Sequence, residues 1–183
     1  SYKGTVGKVA DNLLKRDFSA EKPFEKITTD VTQFNVCDEK VYLSPVLDLF
    51  NNEIVSYSIS TSPNLWQIRE MLDGLFAKLP ADATPIFHSD QGWQYQHAEY
   101  QRLLAEHNIT QSMARKGNCM DNGAMENFFG RLKVEMFYGE KFESVNAFID
   151  ELKKYIHYYN YERISLKLKG MSPVQYRTHS LTI

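Results

Sequence analysis

The sequence contains little cysteine, and its cysteines form no pattern. Of 183 residues only Cys37 and Cys119 are cysteines, and they lie far apart. This excludes a zinc ribbon, whose ligands come in closely spaced pairs, and a small secreted fold held together by disulfides. Two isolated cysteines suit a protein in a reducing compartment. Both side chains are predicted to be buried small apolar groups without a functional role.

A long apolar run is also missing. The longest stretch without a charged residue, 54–68, contains serines, threonines and a proline, so it cannot span a bilayer and no membrane partner is expected. The N-terminal residues have no apolar signal-peptide core and do not begin with methionine. We therefore expect that the chain is a piece of a longer protein with further sequence upstream.

The basic excess of a dedicated nucleic-acid binder is absent as well, because the formal net charge is -2. The charges are unevenly distributed, since residues 152–183 contain six basic side chains and one acidic side chain. Such an asymmetry is compatible with carboxylates gathered for a metal and a tail that faces phosphate. Taken alone, it is weak evidence for either.

What remains is the composition of one folded domain, with 43% hydrophobic, 13% aromatic and 24% charged residues. Residues 1–25 are predicted to be a lead-in linker that contains one short helix ending at Pro23. Residues 26–160 are predicted to be the core, and residues 161–183 a basic C-terminal tail.

Three runs rich in β-branched and aromatic residues predict an antiparallel meander at the start of the core. They cover 27–36, 40–49 and 53–60 and are separated by residues typical of turns. Pro45, in the second run, predicts a bulge or an edge position, because proline cannot donate a hydrogen bond to a strand ladder.

Helical and extended patterns alternate after the meander, which is typical of parallel strand pairing. The predicted elements are a helix at 65–79, a strand at 85–88, a helix at 97–107, a strand at 109–113, a helix capped by Asp121 or Asn122, and a helix at 145–159. The sum predicts an α/β protein with a mixed five-stranded sheet, three antiparallel strands first, flanked by helices. That order matches an RNase H-like fold.

Three acidic residues lie beside apolar strand or helix sequence and not in a solvated charge run. Asp30 is inside the first predicted strand, Asp90 ends the fourth, and Glu126 falls in the first turn of the helix after the loop. Converging carboxylates suit hard cations such as Mg²⁺. Two such ions, about 3.5 to 4 Å apart, can activate an attacking oxygen and stabilise the leaving one at a phosphodiester. Each acid alone is more simply a turn residue or a helix-dipole partner.

The joint pattern is more specific than any one acid, because 35 residues separate Asp90 from Glu126. The surrounding strings are TTDVTQF, IFHSDQGWQY and DNGAMENFFGRLKVE, and the chain closes with YYNYERISLKLKGMSPVQYR. Over residues 12–177 they resemble the catalytic core of bacterial insertion-sequence transposases of the IS-three family, relatives of retroviral integrases. The chain departs from that family at Ile27, where tryptophan is common, and at Ser165, where histidine is common.

The resemblance implies a DNA transposase or integrase core that cuts and joins phosphodiesters during transposition, a DDE-type polynucleotidyl transferase. Asp30, Asp90 and Glu126 would be its catalytic residues and its metal ligands. The implied cofactor is Mg²⁺ or Mn²⁺, with two ions when DNA is bound. The implied partners are transposon ends and target DNA, held by a homo-oligomer in a bacterial cytoplasm. A helix-turn-helix region would lie upstream.

Four basic residues are predicted to contact DNA. Lys133 follows Glu126 by seven residues and lies on almost the same helix face, where it resembles the family's basic partner. The others are Arg115, Lys116 and Arg163. Gly130, between Glu126 and Lys133, either lets a DNA backbone approach closely or is a tolerated helix glycine.

Three neighbours of the acids carry lesser predictions. His88 is predicted to be packed or hydrogen bonded and not catalytic, and Asn122 to cap the helix of Glu126. Trp93 is predicted to pack in the core, with a base-stacking surface as its alternative. Two other functions stay open for the whole chain. One is an RNase H-like nuclease that hydrolyses DNA without joining it, and the other is a DNA-binding or oligomerisation module that has lost activity.

Overall fold

A mixed sheet flanked by helices carries the fold in the computed structural model, which describes residues 7–182. The strands of the described residues are β1 (Lys26–Thr29), β2 (Thr32–Val36), β3 (Glu39–Asp48), β4 (Ile54–Ser60), β5 (Ile86–Ser89) and β6 (Thr110–Met113). The α-helices are α1 (Leu65–Lys78), α2 (Ala98–Glu106), α3 (Gly123–Leu132), α4 (Val145–Tyr161) and α5 (Pro173–Leu181). None of these helices has the length and apolarity needed to cross a membrane.

The sheet has the predicted mixture of antiparallel and parallel pairing. β3 pairs antiparallel with β1 and β2 along one edge and with β4 along the other. β1 pairs in parallel with β5, and β5 in parallel with β6. The α/β class and the order of three antiparallel strands first are therefore confirmed. The sheet has six strands and not five, because the first predicted strand is divided at Asp30 and Val31.

Pro45 explains that division. The register that pairs Thr29 with Val46 and Thr32 with Leu43 sets Pro45 opposite Asp30. The carbonyl of Pro45 faces β1, since it accepts from Thr29 Oγ1 at 2.7 Å. Its nitrogen faces the same way and has no hydrogen to donate, so the ladder lacks a bond at this point. Pro45 therefore lies in a strand with neighbours on both sides and not at an edge. The other predicted possibility, a bulge, is confirmed next to it, since the register of β3 against β4 shifts between Val46 and Leu47.

Two apolar clusters fill the two faces of the sheet. One cluster joins β2 and β3 to α3 and α4, and the other joins β1, β4 and β5 to α1 and α2. The helices begin where the sequence supplies caps, as at Asn64, whose side chain accepts from Gln67 N at 3.1 Å. The prediction of a helix from residue 65 is confirmed.

Both cysteines are exposed, so the prediction of burial was wrong. Cys37 and Asp38 form the two-residue turn between β2 and β3, with φ of 50° and 62°. Positive φ at both positions is typical of the tight turn that matches the twist of a hairpin. Cys119 lies in the short 3₁₀ turn Cys119–Asn122 ahead of α3.

The N-terminal residues lie against the core without forming a helix. Residues 7–25 contain bends and turns only, so the predicted short helix was wrong. Leu14 is nevertheless only 2% exposed and belongs to the cluster beneath α3. Residues 7–18 are called the lead-in segment below. The first six residues of the predicted linker and Ile183 lie outside the described residues.

The predicted basic tail contains a helix that was not predicted from the sequence. Ser172 and Gln175 form a reciprocal capping box at the start of α5, with Pro173 at its first position. Arg177 donates to Glu53 Oε1 at 2.8 Å, and Asn51 donates to the Pro173 carbonyl at 2.9 Å. These bonds attach α5 to the turn between β3 and β4.

Asn160, near the end of α4, is expected to contribute strongly to stability. Its side chain accepts from Ile54 N and donates to Ile54 O, both at 2.9 Å, and so closes the free side of β4. Asn160→Ala would leave two buried backbone groups unpaired, with an expected loss of about 2 to 4 kcal/mol of unfolding free energy. Urea denaturation of the variant and of wild type measures this loss of unfolding free energy. Lys153→Ala, on the exposed face of α4, is the control and should change stability by less than about 0.5 kcal/mol.

Candidate active site

The two aspartates lie at the carboxyl ends of neighbouring parallel strands. Asp30 follows the last residue of β1, and Asp90 follows the last residue of β5. β1 and β5 pair Thr28 with His88, so the same register continued by two residues sets Asp30 opposite Asp90. Adjacent strands are about 4.8 Å apart. The fold therefore brings together two carboxylates that are 60 positions apart in the chain.

Glu126 lies in the same electrostatic neighbourhood as these aspartates. Burial raises the pKa of Asp30 to about 7, and the negative charges of Asp90 and Glu126 add to this rise. The backbone N–H of Val31 donates to Asp30 Oδ1 at 2.8 Å, and this hydrogen bond partly lowers the pKa again. Asp30 is half-buried, whereas Asp90 and Glu126 are exposed. The arrangement concentrates negative charge around one half-buried carboxyl group.

The three acids are neighbours and not a closed metal cage. Among residues 7–182, no three histidine, cysteine, aspartate or glutamate side chains are close enough together to hold a metal ion. In the same part of the chain, no lysine or arginine forms an ion pair with Asp30, Asp90 or Glu126. The donor set is entirely carboxylate oxygen, which is the chemistry that Mg²⁺ and Mn²⁺ prefer. The residues fit a divalent ion in chemistry and charge.

A tight turn holds Asp90. The backbone N–H of Gly92 donates to Asp90 Oδ1 at 2.7 Å. A Cβ atom at Gly92 would lie only 2.9 Å from that same oxygen. In the sequence, Gly92 stands out only as part of the family string IFHSDQGWQY. The structure gives the glycine a physical reason, which is the close approach of the carboxylate to its backbone.

Asn122 links the start of α3 to the end of β1. Its side-chain carbonyl accepts from Thr28 Oγ1 at 2.6 Å, and its amide donates to the Thr29 carbonyl at 3.0 Å. It makes no capping hydrogen bond to α3, so the prediction of a cap was wrong. The side chain instead ties the helix of Glu126 to the residue that precedes Asp30.

His88 is buried and hydrogen bonded at both ring nitrogens. Nε2 lies 2.7 Å from the Asp121 carbonyl, which can only accept, so Nε2 carries the hydrogen. Nδ1 then accepts from Ser112 Oγ at 2.8 Å. Burial lowers the pKa of His88, which favours this neutral form. The ring is a structural link between β5, β6 and the loop before α3, in agreement with the prediction of a packed residue.

The predicted DNA contacts differ in their surroundings. Lys133 directly follows the last residue of α3, and its amine lies 5.4 Å from the centre of the Phe34 ring. Its backbone N–H still donates to the Phe129 carbonyl, so helical geometry extends from Glu126 to Lys133. Lys116 is exposed in the loop before α3. Neither lysine has an acidic partner in the described part of the chain.

Both predicted arginine contacts are engaged within the chain. Arg115 donates to the buried Asp121 carboxylate through Nε at 2.9 Å and Nη2 at 3.0 Å. Arg163 forms a two-pronged pair with Glu135, with Nε to Oε1 at 2.8 Å and Nη2 to Oε2 at 2.7 Å. A DNA phosphate would have to compete with these carboxylates, so Lys116 and Lys133 are the freer pair.

Trp93 is 58% exposed in the 3₁₀ turn Trp93–Tyr95, three residues after Asp90. The prediction that it packs in the core was therefore wrong. Its exposed ring leaves the alternative of a base-stacking surface open.

Comparison with known proteins gives a consistent result along the chain. A family model described as integrase core domain matches residues 20–119, and a second model with the same description matches residues 126–181. An uncharacterized transposase-like protein of Haemophilus influenzae is 58% identical over 181 residues, which are 99% of this chain and 83% of that protein. Transposase InsF for insertion sequence IS3A of Escherichia coli is 34% identical over 182 residues, covering 99% of this chain and 63% of InsF.

Solved structures share the fold at low sequence identity. A chain of the simian T-cell lymphotropic virus intasome, determined in complex with PP2A regulatory subunit B56 gamma, aligns with a TM-score of 0.73 at 15% identity. The alignment covers 97% of this chain and 59% of that one. The HTLV-2 integrase catalytic core domain in complex with magnesium aligns with a TM-score of 0.59 at 15% identity, covering 85% of this chain and 96% of that one.

Proposed function

Because the chain belongs to the integrase core domain family and has insertion-sequence transposases among its relatives, we propose that it is the catalytic core of a transposase of the IS-three family. It would cut and join DNA phosphodiesters when an insertion sequence moves. The observation that carries this proposal is the parallel register of β1 and β5, which sets Asp30 opposite Asp90, with Glu126 close enough to Asp30 for its charge to act there.

The proposed ligands of the divalent ions are Asp30, Asp90 and Glu126. Their all-oxygen chemistry supports Mg²⁺ or Mn²⁺. The pKa of Asp30 is raised first by burial and then by the negative charges of Asp90 and Glu126, and a cation would neutralise those charges. Bound divalent ions activate an attacking oxygen and stabilise a leaving one in phosphoryl transfer, with two ions expected when DNA is present.

The protein's own part in this reaction is to hold three carboxylates in position. The N–H of Val31 orients Asp30, and the N–H of Gly92 orients Asp90. Asn122 fixes the start of the helix that carries Glu126. This division of labour suits phosphoryl transfer, in which catalysis comes chiefly from positioning and electrostatics.

Lys133 and Lys116 are the proposed phosphate contacts. Arg115 and Arg163 join them only if DNA draws their guanidinium groups away from the carboxylates that they bind. The whole protein would hold transposon ends and target DNA as a homo-oligomer in a bacterial cytoplasm. We propose that residues 26–160 are the catalytic core, that residues 1–25 are a linker, and that residues 161–183 are a basic tail.

The proposal is tested with a branched DNA that mimics a transposon end joined to its target, incubated with Mn²⁺. Wild type is compared with Asp30→Asn, Asp90→Asn and Glu126→Gln for cleavage and for joined products. Loss of both products in all three variants is the expected result. Cleavage without joining would favour the RNase H-like nuclease. DNA binding without any product would favour the module that has lost activity.

Gly130 provides a second test of where DNA lies. It is exposed on α3, and a Cβ atom there would meet nothing within 4 Å. Gly130→Ala should therefore stabilise the protein by about 0.5 to 1 kcal/mol, through helix propensity. If a DNA backbone packs against this position, the same change weakens DNA binding several-fold.

The matched control is Asn127→Ala, an exposed position of the same helix that also gains helix propensity. It should stabilise the protein and leave DNA affinity unchanged. Thermal denaturation and fluorescence anisotropy measure the two effects. Unchanged DNA affinity in Gly130→Ala would identify Gly130 as a tolerated helix glycine.

A further inference from the structure

The helix that carries Glu126 is held at its start by remote residues and not by a cap of its own. The other α-helices of the described chain begin with a local side-chain cap, from Asn64, His97, Ser144 and Ser172. α3 has no such bond from its N-cap residue, Asn122. α3 instead continues from the 3₁₀ turn Cys119–Asn122, with the Gly123 N–H donating to the Met120 carbonyl. The side chains that fix this turn therefore also position the start of α3.

One such residue is Asp121, which directly precedes Asn122. Its side chain is fully buried and accepts five hydrogen bonds. The donors are Asn12 Nδ2 at 3.3 Å, Arg16 Nε at 2.8 Å, and Arg115 N, Nε and Nη2 at 2.9, 2.9 and 3.0 Å. Hydrogen bonds from Arg115, with help from Arg16, hold the pKa of Asp121 well below its usual range. The group therefore stays charged and needs its donors.

Two of those donors come from the lead-in segment, which is itself attached to the sheet. Asp11 O accepts from Met113 N at 3.0 Å, and Leu13 N donates to Ser112 Oγ at 2.9 Å. Leu14 belongs to the apolar cluster that includes Met125 and Phe128 of α3. The segment thus runs from the end of β6 to the underside of the helix that carries Glu126.

The backbone of the segment turns sharply where it meets Asp121. Lys15 and Arg16 both have left-handed conformations, with φ of 51° and 60°. Such conformations are unfavourable for residues other than glycine and persist where surrounding contacts hold them. Here the turn directs the Arg16 side chain at the buried carboxylate.

We propose that the lead-in segment is a strap that positions Glu126, and that Arg16 and Asp121 are its positioning residues. The catalytic role of Glu126 in this inference rests on the function proposed above. The structural role of the strap, which is to hold residues 114–126 in place, does not depend on it. Without Arg16, Asp121 keeps the donors of Arg115, so the fold survives. The lead-in segment then reaches Asp121 only through the longer hydrogen bond from Asn12, and the start of α3 is held mainly from the strand side, by His88 and Asn122.

The test compares Arg16→Ala with Lys15→Ala, which removes an equal charge from the same left-handed turn. Hydrogen–deuterium exchange is measured on the free protein, and strand transfer is measured at saturating DNA with Mn²⁺. Arg16→Ala is expected to speed exchange across residues 114–126 about tenfold. It is also expected to slow strand transfer roughly tenfold to a hundredfold, with DNA affinity within about twofold of wild type. Lys15→Ala should do neither, and Arg16→Lys should restore part of both.

Two results overturn the strap. One is unchanged exchange across residues 114–126 in Arg16→Ala, whatever happens to the rate. The other is faster exchange throughout β1 to β5, which means that Arg16 supports the whole fold and not the position of Glu126. Failure of the proposed function is seen separately, as equal products from wild type and Glu126→Gln. The exchange measurements still decide the strap in that case.

Discussion

Asp30→Asn is expected to abolish DNA cleavage and joining and, at the same time, to make the metal-free protein more stable at pH 8. The pKa of Asp30 is raised from 3.8 to about 7, first by burial and then by Asp90 and Glu126. The folded protein therefore binds a proton more tightly than the unfolded chain does. The stabilisation from that proton is complete below pH 4 and is lost as the pH rises through about 7.

Asparagine is neutral at every pH and keeps the oxygen that accepts from Val31 N–H. The variant should therefore equal wild type near pH 4 and exceed it at pH 8 by about 2 to 4 kcal/mol, from about 1.4 kcal/mol per pKa unit. Thermal and urea denaturation in EDTA between pH 4 and 8 measure the difference. Some slope should remain in both proteins, because burial also raises the pKa of Asp48, to about 6.

Asp90→Asn is the control for this prediction, since Asp90 is exposed and its removal relieves only the repulsion that it exerts on Asp30. Its stability gain should be smaller. An Asp30→Asn protein that is less stable than wild type at pH 8 would contradict the prediction. It would mean that the Asp30 carboxylate has favourable partners that outweigh its burial.

Gly92→Ala is expected to reduce cleavage about a hundredfold while leaving the fold nearly unchanged. The added Cβ would lie 2.9 Å from Asp90 Oδ1, so the carboxylate must turn away and lose the hydrogen bond from residue 92. The φ of Gly92, -52°, is ordinary for alanine, so no backbone strain arises. Cleavage rates at saturating DNA and thermal denaturation test the two halves of the prediction.

Gly123→Ala is the matched control, because it adds the same methyl group beside the site where there is room for it. The nearest atom to that Cβ is a ring carbon of Phe18 at 3.7 Å, an ordinary contact distance. This variant should cleave DNA at close to the wild-type rate. Full activity in Gly92→Ala would show that the observed position of the Asp90 carboxylate is not the one that catalysis uses.

The sheet could be predicted from the sequence because strand and helix patterns are local. β-branched runs identified the meander, the apolar spacing of α1 identified that helix, and alternation identified the parallel strands. The closeness of Asp30 and Asp90 was expected because adjacent strands of one sheet carry them, although Asp30 was predicted inside the first strand and lies just after the end of β1. These inferences needed only the order of the elements and the direction of each strand.

The parts that could not be predicted depend on polar contacts between distant segments. Asp121 and Asn122 were predicted as helix caps from their local sequence. Their actual partners are distant: Asp121 binds Arg16, 105 positions away, and Asn122 binds Thr28, 94 positions away, and no local pattern indicates such contacts. The lead-in segment has an apolar pattern that suits a short helix, yet it forms none, because its Asp11 carbonyl and Leu13 N–H bond to residues of β6. The capping box of α5, by contrast, was a local signal that sequence analysis overlooked.

The gap that Pro45 leaves in the strand ladder has a consequence for variation of this protein. Pro45 has no reactive side chain, yet it keeps Asp30 outside the ladder because it lacks a backbone N–H. Any other amino acid at position 45 would restore an N–H facing Asp30. The missing donor also favours one register of β3 against β1 and β2, the one that sets Pro45 opposite the unpaired Asp30. Position 45 should therefore tolerate substitution poorly in selection for transposition, although proline has no side-chain group that could bind a metal or a phosphate. Searches for functional residues that consider only charged or polar side chains would overlook it.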